Sequence, residues 1–311
     1  MCQRLRSSLT GCLAALLLLF NILFWVPLLL LVALLKLLLP GQALRRRIDR
    51  VLLFIAQTWI SGNSTWMQWT QHTVWDVQID AELHAKRWYL VNCNHQSWVD
   101  ILVLQHLFNR RIPLLRFFLK QPLIWVPFMG LAWWALDFPF MRRHSPQYLE
   151  QHPEMRARDQ ETTRQACEKF SRIPTSVMNF VEGTRFSPAK QARQQSPYRH
   201  LLKPKAGGIA MALSVMGTQF DAILDVTIVY PEGVPNFWQF LCGRMPRVVV
   251  RARSLPVPRQ LLRGDYHTDP ACRAAYAHWV QQLWQEKDAQ ISTLLALSKA
   301  REQAAQKIRT P

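Results

Sequence analysis

Acidic side chains are scarce in this chain. Across 311 residues, 20 Asp and Glu stand against 38 Lys and Arg, a formal charge of +18, which calls for an anionic partner: nucleic acid, an acidic lipid surface or a phosphorylated substrate. Cysteine is present without organisation. The six cysteines (Cys2, Cys12, Cys93, Cys167, Cys242, Cys272) form no C-x-x-C and have no histidine at ligand spacing, which argues against a disulfide framework and against a metal site. No internal repeat occurs. Despite 13 tryptophans there is no aromatic-rich RNA-binding signature, and the basic residues are spread through loops and flanks rather than gathered in a module. A membrane-tethered nucleic-acid-binding protein is therefore the weaker reading of the charge, and no nucleic acid is expected as partner.

Long apolar runs are what the chain has in abundance. From Gly11 to Leu35 the sequence is almost unbroken Leu, Ala, Val, Phe and Ile, ended by Lys36 and Pro40; a hydrocarbon core needs ~20 such residues. The run exceeds the ~7 to 15 residues of a signal-peptide core and no small-residue cleavage site follows, so it reads as a retained anchor. Arg4 and Arg6 precede it, whereas Lys36, Arg45, Arg46, Arg47 and Arg50 follow. This bias puts the body of the protein on the cytoplasmic side. A second apolar stretch, Val51 to Trp69, is interrupted by Ser61-Gly62-Asn63-Ser64-Thr65 and reads as an interfacial helix with tryptophan anchors. Whether the first helix spans the bilayer or lies in one leaflet is left open by the sequence.

Beyond residue 70, strand-like and helix-like runs alternate. Strands are expected at Val74 to Ile79, Trp88 to Cys93, Arg116 to Leu119, Ser176 to Phe180 and Leu224 to Tyr230, with an edge-like strand at Arg247 to Ala252. Helices are expected at Trp98 to Phe108, Leu123 to Ala135 (despite Pro127), Glu161 to Ser171 and Ala206 to Met216. Polar segments from His144 to Asp159 and from Ser187 to Arg199 read as mobile covers, and Asp269 to Lys307 as a helical tail in two pieces. The alternation predicts an α/β fold, a mainly parallel sheet flanked by helices. It divides the chain into anchoring helices (1–70), a catalytic domain (71–260) and the tail (261–311).

Two short motifs carry the chemistry. The first is Asn94-His95-Gln96-Ser97-Trp98-Val99-Asp100, set where a buried strand gives way to a helix. Positions i and i+5 diverge by roughly 140° on one helix, so His95 should end the strand and Asp100 sit in the helix's first turn. There the carboxylate can bond Nδ1 and leave Nε2 free to accept a proton. Ser97-x-x-Asp100 also reads as a capping box that merely ties off helix amides. Cys93, two residues from His95, reads better as an inert strand cysteine than as a nucleophile, and Ser97 better as a helix cap. The second motif, Phe180-Val181-Glu182-Gly183-Thr184-Arg185, puts a carboxylate, a glycine and a guanidinium in one tight loop. Gly183 permits a sharp turn, and Arg185 offers a planar fork suited to phosphate. Its bland counterpart is a strand-end turn with a local Glu182 to Arg185 ion pair.

Together the motifs resemble the glycerolipid acyltransferases typified by bacterial 1-acylglycerol-3-phosphate acyltransferase, with signatures N-H-x-S-x-x-D and F-P-E-G-T-R. Asn94 to Asp100 matches the first throughout; Phe180 to Arg185 matches the second except for Val181 in place of proline. The likeness extends from about Trp88 to Tyr230. The runs Lys120 to Arg143 and Asn179 to Phe186 look like the YihG-type bacterial inner-membrane acyltransferases.

The resemblance implies transfer of an acyl chain from acyl-coenzyme A or acyl carrier protein to the free hydroxyl of 1-acylglycerol-3-phosphate, giving phosphatidic acid. Another lysophospholipid is the alternative acceptor. No cofactor beyond the thioester co-substrate and no metal are expected; the partners are membrane lipids and, if it is the donor, acyl carrier protein. A bacterial-type inner membrane is the implied location. His95 would be the general base and Asp100 would stabilise its imidazolium. Arg185 would grip phosphate, Glu182 orient it or bond the glycerol, and Gly183 and Thr184 complete the substrate loop. Where the family closes an F-I-D-R motif with a phosphate-binding arginine, this chain has Phe140-Met141-Arg142-Arg143. That points to Arg143, with Arg142 beside it, although the basic pair could also face lipid head groups. The family's fourth motif, V-P-x-x-I, is matched loosely by Val226-Thr227-Ile228-Val229-Tyr230-Pro231, a departure that leaves the acceptor open. Trp125, Phe128, Trp133 and Trp134 are candidates for an acyl groove or for ordinary core. Lys203 and Lys205 fit a solvated basic surface better than a coenzyme-phosphate contact.

Overall fold

The computed structural model describes residues 2–39, 41–138, 140–141, 161, 173–266 and 268–309. It opens with two long helices, α1 (Cys2–Leu38) and α2 (Gln42–Thr70), packed as a hairpin. Val26, Leu29 and Ala33 of α1 and Leu52, Ile55 and Trp59 of α2 are buried in one core. The polar run Ser61 to Thr65 does not interrupt α2 as expected. Gly62 lies so close to Asn21 of α1 that a Cβ would overlap its amide. Asn21 Nδ2 donates to the Trp59 carbonyl (3.0 Å) and to Asn63 Oδ1 (2.9 Å). These small and polar residues are where α1 touches α2, and that packing outweighs their low helix propensity, which is ~1 kcal/mol for glycine.

The α/β body follows as β1 (Val74–Asp80), β2 (Tyr89–Cys93), α3 (Val99–Phe108), β3 (Leu115–Phe117), β4 (Leu119–Lys120), α4 (Met129–Ala135), β5 (Phe140–Met141), β6 (Ser176–Phe180), α5 (Pro188–Gln194), α6 (Ala206–Met216), β7 (Ala222–Val229), α7 (Phe237–Leu241), β8 (Arg247–Leu255) and α8 (Pro270–Arg309). Six strands form one sheet in the order β1-β8-β7-β2-β6-β3; all neighbours run parallel except β7 and β8. Strand alternation divides the interior in two. Val91, Leu224, Val226 and Val250 face the side shared with the helical hairpin and α3. Leu90, Val177, Ile223 and Val249 face α6 and α8.

Four further expectations change in three dimensions. The edge-like strand β8 is interior, because β1 pairs along its free side. Leu123 to Ala135 is not one helix. A 3₁₀ turn over Gln121–Trp125 ends before Pro127, which has no N–H to donate, and Phe128 takes φ 60°. Gly130 then passes so near the Ile124 carbonyl that a Cβ would collide with it. This bend leaves Trp125 85% exposed and turns Phe128 and Trp134 outward, while Trp133 packs on the core. Within the polar stretch after residue 186, α5 is an ordered helix capped by Ser187. The tail, α8, is one continuous helix. The cover expected from His144 to Asp159 and the helix expected from Glu161 to Ser171 lie outside the described residues, Glu161 excepted.

α8 is bound into the fold rather than appended to it. Tyr276 and Trp284 are fully buried against α6 and the sheet, each hiding on the order of 150–250 Å², worth about 4–6 kcal/mol. Lys287 carries its ammonium to β7, where Nζ meets Asp225 Oδ1 at 2.7 Å and donates to the Val226 carbonyl and Thr227 Oγ1.

Candidate active site

The two motifs meet at the carboxyl ends of adjacent parallel strands, the usual place for a site in an open α/β sheet. β2 ends at Cys93 and releases His95; β6 ends at Phe180 and releases Glu182 to Arg185. Asp100 lies in the first turn of α3. Its Oδ2 is 2.8 Å from His95 Nδ1 and accepts the backbone N–H of Gln96 (2.6 Å) and of Ser97 (2.9 Å). The base–acid pair and the amide-tying role are therefore one arrangement, with the carboxylate capping the turn and orienting the ring together. Asp100 is completely buried, while the His95 side chain keeps 12% of its surface. The imidazole lies flat on Phe180, centroids 3.8 Å apart and planes at 13°. Among the described residues its Nε2 makes no hydrogen bond.

Glu182 sits differently from the expectation that it would reach the glycerol or Arg185. It is buried, and its two oxygens accept the backbone N–H of His95 (3.0 Å) and of Leu202 (2.9 Å). Burial raises its pKa to about 7, against the opposing pull of those two amides. Glu182 thus fastens the loop of the second motif to the backbone of His95. Phe186 N donates to the His95 carbonyl (2.7 Å) and closes the same junction. Gly183 has φ +68°, the left-handed turn its position requires. Thr184 Oγ1 and the Arg185 carbonyl both accept from Lys190 Nζ at 2.9 Å, a tether from α5 that sequence reading missed because the polar stretch looked mobile. Replacing Glu182 by Gln is expected to lower kcat roughly 10- to 100-fold with little change in KM. An amide oxygen can accept only one of the two N–H groups cleanly, and small misplacements of a base cost rates of this order. Steady-state kinetics check this; an unaltered kcat with a raised acceptor KM would instead make Glu182 a substrate ligand.

Arg185 is exposed and lies over the Trp98 ring, 4.7 Å from its centroid. That contact sets the guanidinium against the turn that carries His95 and Asp100. Arg142 and Arg143 lie outside the described residues. Lys203 and Lys205 are exposed ahead of α6.

Two side chains near His95 are unsuited to nucleophilic attack. Burial pushes the Cys93 thiol well above its ordinary value, and Ser97 Oγ donates to the Pro235 carbonyl at 2.6 Å. Two further side chains tie the site to β7 and the residue that follows it. Asn94 pairs with the backbone of Ile228 in both directions, Nδ2 to the carbonyl and N–H to Oδ1, each at 2.9 Å. The Tyr230 hydroxyl donates to Asp100 Oδ1 at 2.7 Å. The loose match of the fourth motif was the only trace of this partner in the sequence. Among the described residues, no three His, Cys, Asp or Glu side chains gather as a metal site would need.

Comparison with known proteins bears on the family and the fold. A family model described as Acyltransferase matches residues 75–233, half of the chain. The chain is 28% identical over 208 residues to 1-acyl-sn-glycerol-3-phosphate acyltransferase 2 of Arabidopsis thaliana, covering 61% of this chain and 49% of that protein. It is 23% identical over 262 residues to 1-acyl-sn-glycerol-3-phosphate acyltransferase gamma of Mus musculus, covering 80% and 64%. The chain thus spans roughly half to two thirds of the lengths of these relatives. Its fold is similar to the crystal structure of the 1-acyl-sn-glycerophosphate acyltransferase PlsC of Thermotoga maritima, with a TM-score of 0.52 at 17% identity over 92% of this chain and 98% of that one.

Proposed function

The chain belongs to the acyltransferase family, and on that premise we propose that it transfers a fatty acyl group from acyl-coenzyme A or acyl-acyl carrier protein to the free hydroxyl of 1-acylglycerol-3-phosphate, giving phosphatidic acid. The observation that carries this reading is the His95 imidazole, held at Nδ1 by the buried Asp100 carboxylate at the sheet end where Arg185 also stands. His95 Nε2 takes the hydroxyl proton as that oxygen attacks the thioester carbonyl. The tetrahedral adduct then expels the thiolate, which recovers the proton from the imidazolium as the free thiol. Asp100 stabilises the imidazolium between these steps. The thioester is already activated, so the acyl group need not pass through the protein.

Arg185 is the proposed phosphate contact, since stacking on Trp98 leaves the edge of its planar fork available for a bidentate pair. Arg143, with Arg142, is proposed as the second. The acceptor is tested by giving the purified protein radiolabelled palmitoyl-coenzyme A or palmitoyl-acyl carrier protein and a panel of lysophospholipids. The highest kcat/KM is expected with lysophosphatidic acid. A faster reaction with another lysophospholipid would replace the acceptor, and no transfer to any of them from either thioester would overturn the reading.

Membrane attachment is part of the proposal. α1 contains one stretch long and apolar enough to cross a bilayer, yet both its ends are tied to the catalytic body. Ser7 bonds the Cys242 carbonyl (2.9 Å) and Arg244 (2.9 Å) at one end, and Lys36 meets Asp137 (3.3 Å) at the other. A helix ~55 Å long lying along one body cannot carry its two ends to opposite faces of a membrane while that body stays on one. The outward Leu and Phe side chains of α1 and the exposed Trp125, Phe128, Trp134 and Trp238 support immersion in a single leaflet. The arginines at the start of α2 favour the cytoplasmic face of a bacterial-type inner membrane.

A further inference from the structure

Asp100 has no surface in contact with solvent, so each of its oxygens depends on protein donors. Oδ2 receives three: His95 Nδ1 and the amides of Gln96 and Ser97. Oδ1 receives one among the described residues, the Tyr230 hydroxyl at 2.7 Å. We propose that Tyr230 is a positioning residue of the proton-transfer machinery, acting through Asp100 on His95 so that phenol, carboxylate and imidazole form one hydrogen-bonded chain. The inference rests on the general-base role proposed for His95.

Three observations support it. The phenol is buried, and both burial and the adjacent carboxylate hold its pKa well above the ordinary value, so it remains a donor throughout the working range. Its register is fixed: the two Asn94 bonds lock Ile228, two residues upstream, to the loop that carries His95. The hydroxyl is also a departure in sequence. When Val226 to Tyr230 is set on the V-P-x-x-I pattern, Tyr230 takes the position of an aliphatic residue that could not bond the carboxylate. The other titratable groups around the chain are Cys93 on β2, Glu182 after β6, and Asp225 on β7 with Lys287 of α8. None of them is hydrogen-bonded to Tyr230 among the described residues, so Tyr230→Phe removes a single interaction.

Without the phenol, Oδ1 loses its donor and more of the carboxylate's negative field falls on the imidazole, which then holds its proton more tightly. Tyr230→Phe should lower kcat about tenfold, the order expected for losing one hydrogen bond to a charged group, leave the acceptor KM unchanged and move the acid limb of kcat/KM upward by about half a pH unit, since only part of that loss is relayed through the carboxylate to the imidazole. Site-specific replacement of Tyr230 by 3-fluorotyrosine, a stronger donor of nearly the same shape, should move that limb the opposite way. This second variant decides the matter even where the Phe variant folds poorly. In an Asp100→Asn background, Tyr230→Phe should cost less than a further twofold. A limb that stays in place in both variants, or a full additional tenfold loss in the Asp100→Asn background, would overturn the proposal. His95→Ala separates the two levels: if it stays active, the general-base reading fails, whereas an inactive His95→Ala beside a wild-type-like Tyr230→Phe defeats only the role of Tyr230.

Discussion

Replacing His95 by Ala should lower kcat by at least ~10³-fold while leaving lysophospholipid binding largely intact. General-base catalysis alone supplies ~10² to 10⁴, and among the described residues the ring whose Nδ1 is held by Asp100 has no neighbour placed to take over its proton. Cys93 is buried and its thiol pKa raised, the Ser97 hydroxyl is spent on Pro235, and the Tyr230 hydroxyl is turned toward Asp100. The acceptor's phosphate is assigned to arginines, so KM should change little. Because the imidazole lies flat on Phe180, its removal leaves a ring-shaped space beside the substrate, and added imidazole should restore part of the rate. Turnover of acyl-coenzyme A with the preferred lysophospholipid measures both effects. Activity near that of the unmodified protein would remove His95 from the mechanism.

The second large effect concerns stability. Lys287→Met should destabilise the fold by about 3–5 kcal/mol, the usual consequence of removing one member of a buried ion pair. Lys287 is 1% exposed and its partner Asp225 4%. Methionine can fill the space of the aliphatic stem, but it leaves the Val226 carbonyl and Thr227 Oγ1 without that donor and Asp225 Oδ1 without its cation. Arg253 still meets Asp225 Oδ2 at 3.0 Å, which keeps the loss from being larger. Urea midpoints of the detergent-solubilised protein measure it. Adding Asp225→Asn to the Lys287→Met variant should recover part of the loss, because the stranded charge is then gone. A single-variant cost below about 1 kcal/mol would mean that water reaches the pair and that α8 is not anchored there.

The chemistry was more legible than the surroundings that direct it. His95 and Asp100 could be placed from their spacing, since a strand that stops before an imidazole and a helix that starts before a carboxylate leave few geometries open. Glu182 could be found but not understood. Its type and position suggest a substrate ligand, whereas its oxygens bond two amides, one 87 residues upstream and one 20 downstream. Lys190 was absent from the expected site, and Asn94 and Tyr230 stood in motifs without a role, for the same reason, their partners being distant or carried on another strand. Local misreadings had a common cause as well. Gly62 and Asn63 look like a helix break until Asn21 is brought against them, and β8 looks like an edge until β1, about 170 residues earlier, pairs with it.

By itself the sequence determined the alternation of strands and helices, the long apolar segment at the start, and a histidine and a carboxylate at a strand-to-helix junction. Each is written in neighbouring residues, where hydrophobic period and backbone stereochemistry act over a few positions. Tertiary structure alone decided that both ends of α1 return to one body, that Glu182 clamps the loop of His95, that Lys287 pins the tail beneath β7 and that Tyr230 reaches Asp100. Those contacts join segments 20 to more than 200 residues apart, and a buried charge or hydroxyl finds its partner only when the sheet has set the strands side by side.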